Sequence, residues 1–313
     1  MYENLENLQK SFALSVAGRV SLPALIKADG PDALMFLQGQ FTQELRSDRA
    51  SPVTYGLWLN QKGRVLADSF VLRLSPTEFV LVSPSSPASV IRERLDAYLI
   101  ADEVELEDVT AAWTGAVLAG PAGRAWAAAR GITLPGPGAL GRVGEGWIFR
   151  GRRAAGDTWE LLQPAGAALC AELPQLDDEL LRRARILAGF PAIPQELGEQ
   201  DLPNEAGLEA VAISYTKGCY LGQEVMARLH SLGRVRRSLQ RVIGRGPAPA
   251  VGANLNHAHK AVGTLRAVAS LDKGWVGLVM LSLVGWEPGQ ALAAEPSGSA
   301  DILVLAENSH SQS

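Results

Sequence analysis

Hydrophobic and polar positions in the first part of the chain follow a helical pattern and then a strand pattern. After Gly30-Pro31, apolar residues recur at helical spacing through FLQGQFTQEL (36–45), which predicts a helix whose first turn holds the proline. VTYGLWLN (53–60) and RVLADSFVLRL (64–74) are rich in β-branched and aromatic residues. The short glycine-containing link between these two runs predicts a β-hairpin.

The same pattern continues to about residue 170. EFVLVS (78–83) predicts a third strand, and Ser86-Pro87 opens a helix with an apolar face. Residues 103–170 are rich in glycine, alanine and proline around short strand candidates. GPGALG (136–141) matches a dinucleotide-binding glycine pattern, but no strand precedes it and no helix follows, so we predict a loop.

The last part of the chain begins with a predicted helix, Asp177–Ala188, which a glycine and a proline terminate. A long irregular stretch, 191–211, follows it, and such loops often carry function. After about residue 239 the chain turns to short strands punctuated by glycine, which predicts a small C-terminal β-barrel.

These elements predict an α+β protein of three units. The first unit is discontinuous and comprises 1–102 together with about 175–237. The second is a small α+β domain at 103–174, and the third is the β-barrel at 238–313.

The composition narrows the functional classes. A net charge of −4 and an isoelectric point near 5.7 give no global attraction to nucleic acid or to anionic membranes. No apolar run reaches the roughly 20 residues of a membrane span, and the first residues lack the pattern of a secretory signal. Two cysteines exclude a disulfide scaffold in a chain of this length. We therefore expect a cytoplasmic protein without a membrane partner.

The segment KGCYLGQE (217–224) concentrates chemistry that a core does not need. Lys217 precedes Cys219 by two positions, and Gly222 begins a predicted helix; a nearby cation and a helix entrance both favour a thiolate. Gly218 and Gly222 allow a sharp turn and a close approach of the backbone. The alternative is a buried structural cysteine, which is common in cores.

Metal binding is not indicated by the pattern of ligand residues. One cysteine without a second ligand nearby cannot hold zinc or an iron–sulfur cluster, since those take about four ligands. His257 and His259 lie in a polar turn without neighbouring carboxylates. We predict no metal site.

An arginine-rich stretch, 228–245, follows the cysteine segment. It is either a solvated surface or an anion site, since arginine binds carboxylates and phosphates through two parallel hydrogen bonds. RNA is a further alternative, although the stretch lacks the interleaved aromatic residues that stack on bases.

KGCYLGQEVMAR resembles the K-G-C-Y-x-G-Q-E-x-x-x-R signature of the YgfZ family. FLQGQFTQEL, LNQKGRVLADSFVLR (59–73) and ILAGFP (186–191) extend the resemblance over most of the chain. The family is similar to the glycine-cleavage T-protein and is linked to folate binding and to assembly or repair of iron–sulfur proteins. The resemblance implies three subdomains around a central folate-sized cavity, with tetrahydrofolate or a derivative as ligand and iron–sulfur client or assembly proteins as partners.

The resemblance also implies roles for individual residues. Cys219 would be an exposed reactive thiol tuned by Lys217, and Asp68 is a candidate acid/base. The residues expected to bind folate are Gln40, Asn60, Tyr220, Gln223, Glu224 and Arg228.

Two departures from the T-protein pattern bear on this expectation. Leu187 stands where the relatives have an acidic residue expected to contact the pterin, and Ala67-Asp68 replaces two adjacent aspartates. A missing carboxylate leaves ring donors unpaired, at a cost of about 1–3 kcal/mol. The departures predict weakened folate binding and argue against aminomethyl transfer.

Three hypotheses remain from the sequence. The first is an accessory factor for iron–sulfur proteins that acts through Cys219. The second is a folate-dependent one-carbon transferase with Asp68 as acid/base. The third is a module associated with RNA or with tRNA modification.

Overall fold

The computed structural model describes residues 5–46 and 48–305. The α-helices are α1 Leu5–Ser11, α2 Ala33–Gln40, α3 Ala88–Asp96, α4 Gly120–Ala128, α5 Ala168–Ala171, α6 Asp178–Ala188, α7 Glu209–Ala212 and α8 Gln223–Leu232. The strands are β1 Val16–Val20, β2 Ala24–Asp29, β3 Val53–Leu59, β4 Val65–Arg73, β5 Glu78–Ser83, β6 Glu105–Asp108, β7 Trp113–Ala119, β8 Leu140–Val143, β9 Gly146–Arg150, β10 Thr158–Pro164, β11 Arg237–Gly244, β12 Asn254–His257, β13 Lys260–Leu271, β14 Gly274–Ser282 and β15 Leu303–Val304.

The first sheet is antiparallel, with the strand order β3-β4-β5-β2-β6. The predicted hairpin is confirmed as β3 and β4, and its link turns at Gly63 with a φ of 68°. The predicted helices are α2 and α3, whose apolar residues pack with this sheet in one core. The opposite face of β3, β4 and β5 packs on the second sheet. The ring centroid of Phe70 lies 5.0 Å from that of Tyr55 and 5.1 Å from that of Phe149 in the second sheet.

The second sheet has the order β1-β7-β10-β9-β8. β1 pairs with β7, so Val16–Val20 joins this sheet although the predicted boundary groups these residues with the first unit. β1 precedes the first sheet in the chain, and this pairing places it at the edge of the second sheet. Residues 136–139 form the predicted loop, and a strand, β8, follows it.

The third sheet, with the order β12-β13-β14-β11-β15, curls into a half-barrel. Bridges from Asn256 to Ala293 and from Leu292 to Ile302 connect its two edges. Apolar side chains of the inner face, including Trp275 and Leu265, fill the interior, whereas side chains of the outer face pack with α6. The C-terminal β-barrel predicted from the short strands is confirmed.

Helix α6 packs between the second and third sheets. The Asp177 side chain accepts a hydrogen bond from the backbone N–H of Glu179 at 3.0 Å, and Gly189 ends the helix in the left-handed conformation. Ala184 packs against the second sheet, whereas Ile186 and Leu187 pack against the third. The polar side of α6 is thereby turned toward the first sheet.

No helix among the described residues has the length and apolar character required to cross a bilayer.

Candidate functional site

A cavity of about 480 Å³ lies where the first sheet, the second sheet and α6 meet. Tyr55 and Asp68 of the first sheet, Arg152 after β9, and Arg182 on α6 all line it. Pro23, Leu181 and Phe190 add apolar wall. A mainly apolar cleft of this size with a few converging polar groups is typical of small-molecule sites.

Asp68 forms the buried polar end of this cavity, with 2% of its surface exposed. One carboxylate oxygen accepts from the hydroxyls of Ser83 and Ser86, both at 2.8 Å, and the other accepts from the Tyr55 hydroxyl at 3.0 Å. Burial raises the pKa of Asp68, and the three hydroxyl donors act against that rise. A carboxyl group in this environment can accept a hydrogen bond from a ligand or exchange a proton with it.

Arg152 is the cationic element of the cavity. Its guanidinium lies between two rings, 4.6 Å from the centroid of Tyr55 and 4.4 Å from that of Phe190. No carboxylate of the described residues lies within 4 Å of it, whereas Arg185 and Arg153 are held by Glu196 and Glu160. Arg152 is therefore positioned and unpaired, which suits recognition of an anionic ligand group.

The segment KGCYLGQE lies elsewhere, against the end of α2. The Nζ atom of Lys217 donates to three backbone carbonyls, those of Gln38 at 2.7 Å, Phe41 at 2.6 Å and Gln43 at 2.9 Å. Burial lowers the pKa of Lys217 to about 7, while the charge of Glu44 acts in the opposite direction. The three carbonyls match the three protons of an ammonium group, so this side chain fastens the segment to the C-terminal end of α2.

Glu44 supports the same region. It accepts from Arg46 at 2.9 and 2.6 Å and from Gln38 at 2.7 Å. The hydrogen bonds from Arg46 lower the pKa of Glu44 to about 2, against the opposing effect of burial. The α2 end is thus held by an ion pair as well as by Lys217.

Of the two glycines expected to shape the segment, Gly222 has the conformation that requires glycine. Gly222 has a φ of 87°, and a Cβ there would lie 2.9 Å from the Asn60 carbonyl oxygen. Helix α8 begins directly after it at Gln223. Gly218 is different, because a Cβ there meets nothing within 4 Å. The close approach of α8 to the β3–β4 turn therefore depends on Gly222.

The two cysteines differ in exposure. Cys219 is exposed, and Cys170 is buried among apolar residues of the second sheet. Burial raises the pKa of the Cys170 thiol to about 11. Cys219 is therefore the thiol available to a reagent or partner.

Of the residues expected to bind folate or act in catalysis, only Asp68 lines the cavity. Gln40 accepts a hydrogen bond from Arg94 at 3.0 Å, and Asn60 accepts from the backbone of its own turn. Tyr220 is buried in an apolar cluster. Gln223 is partly buried, and Glu224 and Arg228 are exposed on α8.

Leu187 does not occupy the place expected for it. It is 2% exposed and packs with Ala267, Val276 and Leu278 of the third sheet. The helix rotates this position away from the cavity, so its side chain neither forms nor obstructs the cavity wall. Leu187 therefore does not decide ligand binding in the way that the motif comparison predicts.

Sequence reasoning missed Arg152, Tyr55 and Phe190 as parts of one site. Arg152 lies in the region of weakest resemblance, and nothing in its neighbours distinguishes it from other surface arginines. Tyr55 is in a predicted strand, where an aromatic residue is ordinary. Only the packing of the two sheets brings them together.

The histidine pair and Arg237 make contacts within the fold. His257 and His259 each direct Nδ1 to a backbone carbonyl of a later segment, those of Ala291 and Pro296 respectively, and no cluster of three or more potential metal ligands occurs among the described residues. In the arginine-rich stretch, Arg237 pairs with Asp201 and Glu205. Arg234 and Arg236 are exposed.

The comparisons with known proteins agree with this fold. A family model described as "GCVT N-terminal domain" matches residues 20–130. The chain is 32% identical over 286 residues to the iron-sulfur cluster assembly factor IBA57, mitochondrial, of Homo sapiens, which covers 82% of this chain and 74% of that protein. The chain belongs to the IBA57/YgfZ family.

A bacterial member of the IBA57/YgfZ family is similar as well. The tRNA-modifying protein YgfZ of Vibrio vulnificus (strain YJ016) is 30% identical over 227 residues, covering 70% of this chain and 67% of that protein. The family therefore includes a member named for mitochondria and others from bacteria, and a cytoplasmic location stays a prediction for this chain.

The solved structure of glycine cleavage system aminomethyltransferase T from Bartonella henselae matches with a TM-score of 0.80 and 19% identity, covering 96% of this chain and 88% of that one. The T-protein-like α+β fold predicted from the sequence is confirmed.

Proposed function

We propose that this IBA57/YgfZ family member is an accessory factor in assembly or repair of iron–sulfur proteins. A folate-type ligand binds in the cavity that Asp68 and Arg152 line, which we call the central cavity, and Cys219 acts as the exposed thiol. The relatives are named as an iron–sulfur cluster assembly factor and a tRNA-modifying protein, and these names support a role in this area. The observation that carries the ligand part is the cavity that contains Asp68 and Arg152.

The residues of the cavity fit a folate. A pterin ring carries N–H donors, and Asp68 provides a buried carboxyl group to accept from them. A folate ends in a glutamate carboxylate, and Arg152 is a positioned cation without an acidic partner among the described residues. Leu181, Phe190 and Pro23 provide the apolar contacts that a flat aromatic ligand needs. Bound folate would supply a one-carbon carrier, and the protein's groups bind and orient it.

Cys219 is proposed as the thiol that meets the iron–sulfur protein. It is exposed in a loop whose position is fixed by Lys217 on one side and by Gly222 on the other. A fixed, accessible thiol can attack a partner, ligate a transferred cluster or hold the partner in place. The exposed position supports each of these roles equally.

Complementation tests the thiol. In a strain that lacks its own family member, we expect Cys219→Ala to fail to restore the activity of an iron–sulfur enzyme, whereas Gly218→Ala restores it. The neighbouring alanine variant is the control because a Cβ at Gly218 meets nothing within 4 Å. Full restoration by Cys219→Ala, at equal protein level, would remove the thiol from the proposal.

A one-carbon transferase is the second candidate, and one observation favours it. Asp68 sits at the end of the cavity with a pKa raised by burial, where it can exchange a proton with a bound ligand. Turnover of an aminomethyl substrate with tetrahydrofolate, lost in Asp68→Asn, would support it. Absence of product at saturating tetrahydrofolate would remove the transferase and leave the accessory role as the remaining candidate.

A further inference from the structure

A groove lies around the loop between α8 and β11, which we call the 233–236 groove. Two cavities, of about 790 and 480 Å³, share Leu229, Arg234, Val235 and Arg236 in their walls. The two cavities therefore lie next to each other around this loop. None of the residues that line the groove also lines the central cavity, so Asp68, Tyr55 and Arg152 are not part of it.

The groove carries unpaired positive charge. Arg234 and Arg236 are exposed, and neither has a carboxylate within 4 Å among the described residues. Arg237, the next arginine, is different, because Glu205 and Asp201 hold it at 2.9 and 3.2 Å. In a chain with a net charge of −4, two free guanidinium groups at one groove are a local site for carboxylates.

An aliphatic rim stands beside these arginines. Leu283 is 45% exposed and Val284 is 74% exposed. The backbone N–H of Leu283 donates to the carbonyl of Arg236 at 2.8 Å, so the rim and the arginines are held next to each other. Exposed aliphatic residues beside unpaired charge are typical of protein docking sites.

The inner wall of the groove combines a carboxyl group with an aromatic pair. Glu209 and His230 line the larger cavity, and the His230 ring stacks on the Tyr215 ring with the centroids 3.9 Å apart. His230 lies close enough to act electrostatically on Glu209. Arg234 and Arg236 therefore remain the exposed charges of the groove without an ion-pair partner among the described residues.

We propose that the 233–236 groove binds an acidic segment of a partner protein, with an aliphatic side chain seated on Leu283 and Val284 and its carboxylates on Arg234 and Arg236. The proposal is independent of folate binding, and it deepens the accessory role only by naming the kind of partner segment. We favour a protein segment over RNA because Leu283 and Val284 give the groove an exposed aliphatic rim, although the ring of His230 also lines it.

Peptide selection on the intact chain tests the groove. Random peptides of about ten residues, displayed and selected on the wild-type protein, are resynthesised with a fluorophore and titrated by anisotropy. We expect the selected peptides to combine glutamate or aspartate with leucine, isoleucine or valine. Arg234→Gln/Arg236→Gln and Val284→Ser should each weaken binding about tenfold.

Matched variants separate the groove from general charge and hydrophobicity. Arg49→Gln/Arg142→Gln removes the same charge from other exposed positions, and Ile100→Ser removes an aliphatic side chain that is 90% exposed. Both controls should bind within about twofold of wild type. All substituted side chains are at the surface, so circular dichroism should show unchanged folding.

Three results would overturn the proposal. The first is that the selected peptides lack acidic residues. The second is that the groove variants bind every selected peptide as tightly as the wild type does. A single-stranded RNA of about 20 nucleotides could bind more tightly than the peptides and lose binding in the same variants, which would assign the groove to RNA. None of these results depends on tetrahydrofolate, so the folate titration of the central cavity is judged separately.

Discussion

Replacing Lys217 with methionine tests what this lysine does in the family signature. The structure has its Nζ donating to three backbone carbonyls at 2.6–2.9 Å, with the side chain 5% exposed. Methionine keeps the approximate length and removes the donors. The three carbonyl oxygens at the end of α2 would then lose a charged partner.

The cost follows from those contacts. Leaving a buried acceptor without its partner costs about 1–3 kcal/mol. The variant no longer has to bury an ammonium charge, which offsets part of the cost summed over the three acceptors. We expect a net destabilisation of about 3 kcal/mol. For a chain of 313 residues that corresponds to a fall in the melting temperature of roughly 5 °C.

Thermal unfolding and thiol alkylation together decide the role of Lys217. We expect Lys217→Met to melt earlier, while the iodoacetamide reaction of Cys219 in the folded state stays within about twofold of wild type. Lys62→Met, which changes an exposed lysine, is the control and should melt as wild type. An unchanged melting temperature with slowed alkylation would refute the structural role and support tuning of the thiol.

Three further predictions use other contacts at the same segment. The pKa of Glu44, lowered from 4.5 to about 2 by a neighbouring arginine, means that its stabilisation is complete above pH 4.5 and is lost as the pH falls toward 2. In urea unfolding across this pH range, Glu44→Gln should lower the free energy of unfolding by about 1–3 kcal/mol at pH 6. The free energy of the variant should then fall less in acid than that of the wild type, and parallel pH curves for the two proteins would contradict this. Gly222→Ala should cost about 1–3 kcal/mol in the same assay, whereas Gly218→Ala should be nearly neutral, and equal effects would argue against the close approach. In the native state one thiol, Cys219, should react with a disulfide reagent and Cys170 only after unfolding, which cysteine-specific mass spectrometry can check.

Local turn chemistry was sufficient to predict several elements. The hairpin of β3 and β4 follows from two β-rich runs around Gly63, and the start of α8 follows from Gly222. In both cases the determining residues are adjacent in the sequence. The C-terminal barrel was likewise predicted from short strands and their glycines.

The contacts of Lys217 could not be predicted in this way. Its three acceptors lie 174–179 positions earlier in the chain, and any backbone carbonyl is an equally good acceptor in the sequence. The presence of a cation beside Cys219 suggested an effect on the thiol. Burial instead directs the ammonium group into the end of α2.

The family resemblance implies a folate-sized cavity among three subdomains. The cavity in the structure is lined by the first two sheets, α6 and neighbouring loops, and of the residues expected to bind folate or act in catalysis only Asp68 lines it. Arg152, Tyr55 and Phe190 come from three separate segments that meet only when the sheets pack. For Leu187 the motif comparison led to a different error, because it placed this side chain at the ligand. The motif gives the position along α6, whereas the packing of the helix decides which neighbour the side chain faces. Its burial against the third sheet follows from the rotation of the helix.

Calorimetric titration with a tetrahydrofolate derivative tests most directly whether the central cavity binds a folate-type ligand. We expect the wild type to bind, and Asp68→Asn and Arg152→Gln each to weaken binding about tenfold or more. Arg228→Gln, which changes an exposed arginine of the signature segment outside the cavity, should bind as the wild type does. No heat of binding in the wild type, or a loss confined to Arg228→Gln, would contradict the assignment of the ligand to this cavity.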